Sequence, residues 1–184
     1  MSYEAKIKSR EDFRQSIRKE QEQGKKVVQC HGCFDIIHPG HIRYLEQAKK
    51  FGDILVVSLT ADKFILKGDD RPYMPQELRV RSMAALEIVD YVYLDNESWA
   101  GPILEFAQPD IYVKGKEYEQ VFTGSFGDER GIVEKYGGKV FFTSGDVVFS
   151  SSQLIEDFKK KFALEYEVFK IFCQRNDIHL DGLK

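Results

Sequence analysis

The sequence predicts an α/β fold, a doubly wound parallel sheet of five strands with helices on both faces. Strand-like runs alternate with helix-like runs along the chain, the pattern of a parallel sheet covered by helices. At 184 residues and 42% hydrophobic content, the chain holds enough apolar side chain for one sizeable core. The chemically distinctive segments each follow a strand, and in an open sheet of this kind ligands bind outside the carboxyl ends of the strands.

Residues 1–25 read as an N-terminal helical extension, with a helix near 10–23 that turns Phe13 and Ile17 inward. The first strand, 26–31, contains the β-branched pair Val27-Val28 and ends before Gly32. A helix over 39–51 follows from apolar residues at helical spacing, and Gly52-Asp53 stops it. Further strands are predicted at 53–58, 90–94, 110–114 and 139–143, with helices near 75–87, 98–107, 128–136 and 150–162. These elements make one domain, followed by a C-terminal helical extension over 159–184. That extension contains Phe162, Leu164, Tyr166 and Phe169, too apolar for a free tail, and is expected to dock on the core or on a second copy in a homodimer.

The most informative stretch lies between the first strand and its helix: Gly32-Cys33-Phe34-Asp35, then His38-Pro39-Gly40-His41. With Pro39 as the first helical residue, His38 falls at the N-cap and His41 on the first turn. Both imidazoles are then expected beside free backbone N–H groups at the positive end of the helix dipole, a ready anion site. Gly32 and Gly40 remove side chains where a polyphosphate would approach the backbone. Lys63, Lys67 and Arg71 form a basic cluster around the turn Gly68-Asp69-Asp70, and Arg79 and Arg81 lie on an amphipathic helix. Lys114-Gly115 puts a cation at a strand end, where the glycine lets a ligand lie against the backbone, and Ser150-Ser151-Ser152 reads as a second helix start with hydroxyls and N–H groups for phosphate.

The Gly-x-Phe-Asp-x-x-His-x-Gly-His signature resembles that of the cytidylyltransferase-like nucleotidyltransferases, and the resemblance covers about residues 26 to 158. Lys67-Gly68-Asp69-Asp70-Arg71-Pro72 and Pro109-Asp110-Ile111-Tyr112-Val113-Lys114-Gly115 are most similar to the adenylyltransferase domain of ADP-heptose synthases, and glycerol-3-phosphate cytidylyltransferases are the next pattern. The resemblance implies a Rossmann-like fold and transfer of a nucleoside monophosphate from ATP or CTP to a sugar phosphate, heptose 1-phosphate-like, with release of pyrophosphate. It implies catalytic roles for His38, His41 and Lys67, and nucleotide contacts from Gly32, Cys33, Phe34, Gly40, Arg71, Arg79 rather than Arg81, Lys114, Gly115, Ser150 and Ser151. Mg²⁺ would ride on the phosphates with no dedicated protein metal site, and a sugar kinase is an expected associate. Two departures from the glycerol-phosphate pattern lean toward the heptose branch: Gly145-Asp146-Val147-Val148 replaces an Arg-Thr-Glu-Gly stretch, and Pro102 stands where a substrate-binding lysine is expected.

A net charge of −3 argues against wide nucleic-acid contact, since backbone binders show a clustered basic excess. No apolar run reaches the roughly 18 to 20 residues a membrane span needs, and the polar N-terminus lacks a secretory segment, so a cytoplasmic setting with three reduced cysteines is expected. The alternatives are a cytidylyltransferase acting on a polyol phosphate such as glycerol 3-phosphate, and a small zinc-binding interaction module using Cys30, Cys33, His38 and His41.

Overall fold

The computed structural model describes residues 2–65, 71–121 and 123–143, together with 156, 160–164, 166, 167, 170 and 171. The contacts divide the chain into Met1–Val147 and Val148–Lys184. In the second unit the described residues are helical.

In the first unit the sheet has six parallel strands: β1 (Ile7–Lys8), β2 (Val27–Gly32), β3 (Ile54–Thr60), β4 (Tyr91–Asp95), β5 (Ile111–Lys114) and β6 (Lys139–Phe142), in the order β1-β4-β3-β2-β5-β6. The expected count of five strands is corrected by β1, which pairs Ile7 with Val92 and Lys8 with Tyr93 on the outer edge of β4. Two residues are too few to show an alternating pattern, so this strand exists through its pairing alone.

Five α-helices cover the sheet: α1 (Arg10–Glu22), α2 (Pro39–Lys49), α3 (Gln76–Ala84), α4 (Gly101–Ala107) and α5 (Gly124–Lys135). Alternate strand residues separate two cores. Val28, Cys30, Leu55, Val57 and Leu59 meet Leu45 and Ala48 of α2 and Val80, Met83 and Ala84 of α3. Val27, Ile54 and Val56 meet Phe13 and Ile17 of α1, Ile103, Leu104 and Ala107 of α4, and Phe126 and Val133 of α5. Every residue of β3 is buried, which its unbroken apolar run Ile54-Leu55-Val56-Val57 requires of a central parallel strand.

Helix boundaries depart from expectation where glycine and proline intervene. α4 starts at Gly101 rather than near 98, because Gly101 packs against the Trp99 ring and Pro102 occupies the first turn. α5 begins at Gly124, ahead of the expected 128, after Thr123 in an extended conformation. The helix expected at 150–162 lies largely outside the described residues. β2 lies at the centre, with β3 and β4 added on one side and β5 and β6 on the other. The switch point of the sheet therefore falls between β2 and β5, the place at whose carboxyl ends open sheets of this kind bind ligands.

Candidate active site at the carboxyl edge

Gly32 ends β2, and a side chain there would press on the Phe34 ring at 3.2 Å. Phe34 turns the chain at φ 48°, a left-handed conformation uncommon for an aromatic residue, while 94% of its surface is withdrawn from solvent. The chain reaches His38 extended, at φ −138° and ψ 168°, and enters α2 through Pro39. His38 caps the helix: its Nδ1 accepts from the Gly40 N–H at 3.1 Å.

That bond decides the chemistry of the ring. Burial lowers the pKa of His38, which favours the neutral imidazole. With Nδ1 accepting, the proton of the neutral ring sits on Nε2. This Nε2 is buried and has no hydrogen-bond partner among the described residues. His41 stacks on it with ring centroids 3.9 Å apart, and Phe34 meets His41 edge-on at 5.2 Å.

The backbone donors expected to be free on this turn are committed. Gly40 N–H goes to the His38 ring, and the N–H groups of His41 and Ile42 both donate to the His38 carbonyl, at 2.9 and 3.2 Å. What this turn offers is the Nε2–H donor of His38 and the positive end of the helix dipole instead of a row of open amides.

Two clamps hold the loop from behind. Asp35, only 4% exposed, accepts from the N–H groups of Tyr73 and Met74 at 3.1 and 2.9 Å and pairs with Arg71 Nε at 2.8 Å. These partners lie 38 and 39 residues away, so Asp35 ties two loops together and does not merely order its own turn. Arg71, bound to Asp35 and lying over the Tyr73 ring at 5.2 Å, is brought against the motif loop.

Arg79 forms the second clamp. It is 1% exposed and donates to the carbonyls of Met74, Cys33 and Thr60 and to the Asp62 carboxylate. Arg79, expected as a nucleotide contact, makes four bonds to protein acceptors, which fasten the carbonyl of Cys33 to α3 and to the end of β3. Arg81, the alternative on the same helix, is exposed.

Across the switch point, Lys114 ends β5 with its side chain 13% exposed. Its Nζ lies 3.2 Å from Glu129 Oε2 and over the rings of Tyr112, Tyr118 and Phe126 at 5.4, 5.0 and 5.7 Å. At Gly115 a side chain would collide with the Glu117 carboxylate. Lys67, Ser150 and Ser151 lie outside the described residues. Lys63 is exposed, with its ammonium 4.8 Å from the Phe64 ring.

Sequence reasoning passed over a buried polar cluster beneath this edge. His31 Nδ1 meets Ser58 Oγ at 2.9 Å and Nε2 meets Thr60 Oγ1 at 3.2 Å, while Gln29 Nε2 donates to the same Ser58 oxygen at 3.0 Å. Burial brings the His31 pKa down to about 3, and it brings the Asp95 pKa, 3.9 Å from that ring, up to about 7. The alternation of Gln29 and His31 with Val28 and Cys30 was the available signal: polar side chains on the face of a strand that a helix must cover.

The four potential zinc ligands do not converge. Cys30 sits fully buried in the α2–α3 core, where burial raises its thiol to about 12, and it is spent on packing. Among the described residues no three His, Cys, Asp or Glu side chains gather to hold a metal ion. Asp35, the carboxylate of the motif, is already bonded on both oxygens. No described helix is long and apolar enough to cross a membrane.

A model of the cytidylyltransferase-like family matches residues 29–179. Over 164 residues the chain is 38% identical to Bifunctional protein HldE of Geobacter sulfurreducens, covering 88% of this chain and 33% of that protein. The protein of the same name from Campylobacter jejuni is 36% identical over 163 residues, with 88% and 33% covered. Among solved structures, the lipopolysaccharide core biosynthesis protein of Thermoplasma volcanium superposes with a TM-score of 0.54 at 31% identity, covering 65% of this chain and 94% of that one. Pantoate-beta-alanine ligase of Francisella tularensis, at 17% identity and a TM-score of 0.53 over 74% of this chain and 66% of that one, has a similar fold. The chain spans about a third of the length of the curated relatives it matches.

Proposed function

The chain belongs to the cytidylyltransferase-like family and is a nucleotidyltransferase; from that premise we propose that it transfers the adenylyl group of ATP to a sugar 1-phosphate of the heptose type. The observation that carries the reading is the His38 Nε2–H, a buried donor with no partner among the described residues, at the start of α2, where charge on an α-phosphate would be met. A phosphate oxygen of the acceptor attacks the α-phosphorus in line. The new P–O bond forms as the bond to the β-phosphate breaks, and pyrophosphate leaves with that electron pair. The acceptor oxygen is already ionised, so no general base is required.

In this scheme His38 and His41 face the α-phosphate, Gly32, Cys33, Phe34 and Gly40 shape the wall it lies on, and Arg71, Lys114, Lys67, Ser150 and Ser151 gather around the nucleotide. Gly115 lets a ligand approach the β5 terminus. Arg79 acts indirectly, by fixing the Cys33 carbonyl. Mg²⁺ enters as part of the nucleotide substrate, on phosphate oxygens. Similarity to proteins named bifunctional supports association with a sugar kinase activity, and the apolar C-terminal segment supports a homodimer.

The test is pyrophosphate release with Mg²⁺, running ATP and CTP separately against sugar 1-phosphates and polyol phosphates, with His41→Ala as blank. Release from ATP and a heptose- or hexose-type 1-phosphate, lost in the variant, is expected. Release only from CTP and glycerol 3-phosphate would overturn the substrate assignment, and full activity in His41→Ala would overturn the site.

A further inference from the structure

Glu129 comes from α5, is 3% exposed and stands where three elements meet. Its Oε1 accepts from the Ala100 N–H at 3.1 Å, at the entry to α4, and its Oε2 accepts from the Tyr112 hydroxyl at 2.9 Å, on β5. The same Oε2 faces Lys114 Nζ at 3.2 Å. Burial, with the charge of Glu129 next in weight, raises the Tyr112 pKa well above its ordinary value, so the phenol stays protonated and keeps donating. Two neutral donors therefore set the carboxylate in place, and its charge falls on the lysine.

Lys114 would otherwise be poorly placed. A flexible four-carbon stem carries its ammonium, which three aromatic rings shield from solvent. Rings attract a cation but do not fix its position along the β5 axis, whereas a carboxylate held by two further bonds does. An ammonium has three donors, and Glu129 engages it from one side.

We propose that Glu129 is a positioning residue for substrate binding: it holds the Lys114 ammonium in place at the β5 terminus, so that the lysine meets an incoming nucleotide phosphate without first being ordered. This inference rests on the reading of Lys114 as a nucleotide ligand. Glu129 itself touches no substrate. In Glu129→Gln the amide has the same shape: its oxygen can still accept from the Ala100 N–H, its NH2 would donate to the Tyr112 oxygen where the carboxylate accepted from it, and the charge opposite Lys114 is gone.

The experiment is a double-mutant cycle of Glu129→Gln and Lys114→Met on the full chain, with ATP binding measured by titration calorimetry without acceptor and with KM and kcat for pyrophosphate release. Glu129→Gln is expected to weaken ATP binding and raise its KM by about tenfold with kcat nearly unchanged. In the Lys114→Met background, Glu129→Gln is expected to add less than about twofold, because the lysine through which it acts is absent. Effects that multiply in the double variant would overturn the proposal, as would Glu129→Gln binding ATP like the wild type. If Glu129→Gln alone does not fold, the melting temperature decides: removing the unpaired lysine in the double variant must restore it, and failure to do so refutes the coupling. Wild-type protein that binds neither ATP nor CTP would defeat the parent reading before any variant is compared.

Discussion

Replacing His31 by Asn should change how folding stability responds to acid. The His31 side chain is 6% exposed, and burial lowers its pKa from 6.5 to about 3 on folding. Between those values the unfolded chain binds a proton that the folded chain refuses, so stability is present above about pH 6.5 and drains away as the pH drops toward 3. At pH 5 the drop below 6.5 is roughly 1.5 units, and at about 1.36 kcal/mol per unit the loss is about 2 kcal/mol. Asp95 works in the opposite sense: raised from 3.8 to about 7, it penalises the folded state above pH 7 and relieves it on acidification. The Asp95 shift comes from burial first and then from the charge of Glu97, both of which remain in the variant. Asn can still meet Ser58. Urea unfolding followed by circular dichroism, at pH 5 and pH 8 on both proteins, isolates the difference, because all shared groups cancel. The variant should gain about 2 kcal/mol relative to wild type on going from pH 8 to pH 5. A gain under about 0.5 kcal/mol would mean that the imidazole is protonated inside the folded protein, and the reasoning would fail.

Arg79→Met should lower stability by about 3 kcal/mol or more, because the carbonyls of Cys33, Thr60 and Met74 and the Asp62 carboxylate lose a shared donor; thermal unfolding checks it, and a loss below about 1 kcal/mol would contradict the clamp. Asp35→Asn should release Arg71 and the Tyr73–Met74 backbone, raising KM for the nucleotide about tenfold while the protein stays folded, as steady-state kinetics would report. His38→Ala should cost about 1 kcal/mol from the lost helix cap and reduce kcat by about 100-fold or more; near-normal activity in a cap-retaining His38→Asn would assign the ring to capping alone.

The α2 start was legible in the sequence because each part of its local chemistry agrees: a glycine ending the strand, a capping histidine, proline at the first helical position and apolar residues at helical spacing. Strand centres were legible for a similar reason, since Ile54-Leu55-Val56-Val57 fits only a strand buried on both faces. What escaped depended on partners far along the chain. Arg79 carries a hint, because it shares a helix face with Met83 four residues on and both are buried, but nothing nearby names Cys33, Thr60 and Asp62 as its acceptors. Glu129 reads as an ordinary acidic residue of a polar helix until β5 is laid beside it. The committed amides of the first α2 turn were missed because sequence gives a cap its identity but not which ring nitrogen and which carbonyl the donors choose.

The two-residue strand β1 has a consequence unrelated to catalysis. By pairing with Val92 and Tyr93, it occupies the outer margin of β4, and Lys6 reaches across to the Leu86 carbonyl at 2.9 Å. Left bare, that margin would offer a row of unsatisfied amides beside aromatic side chains, the template on which strands of neighbouring molecules stack into aggregates. Ile7 and Lys8 thus act as a selvedge along that side of β4.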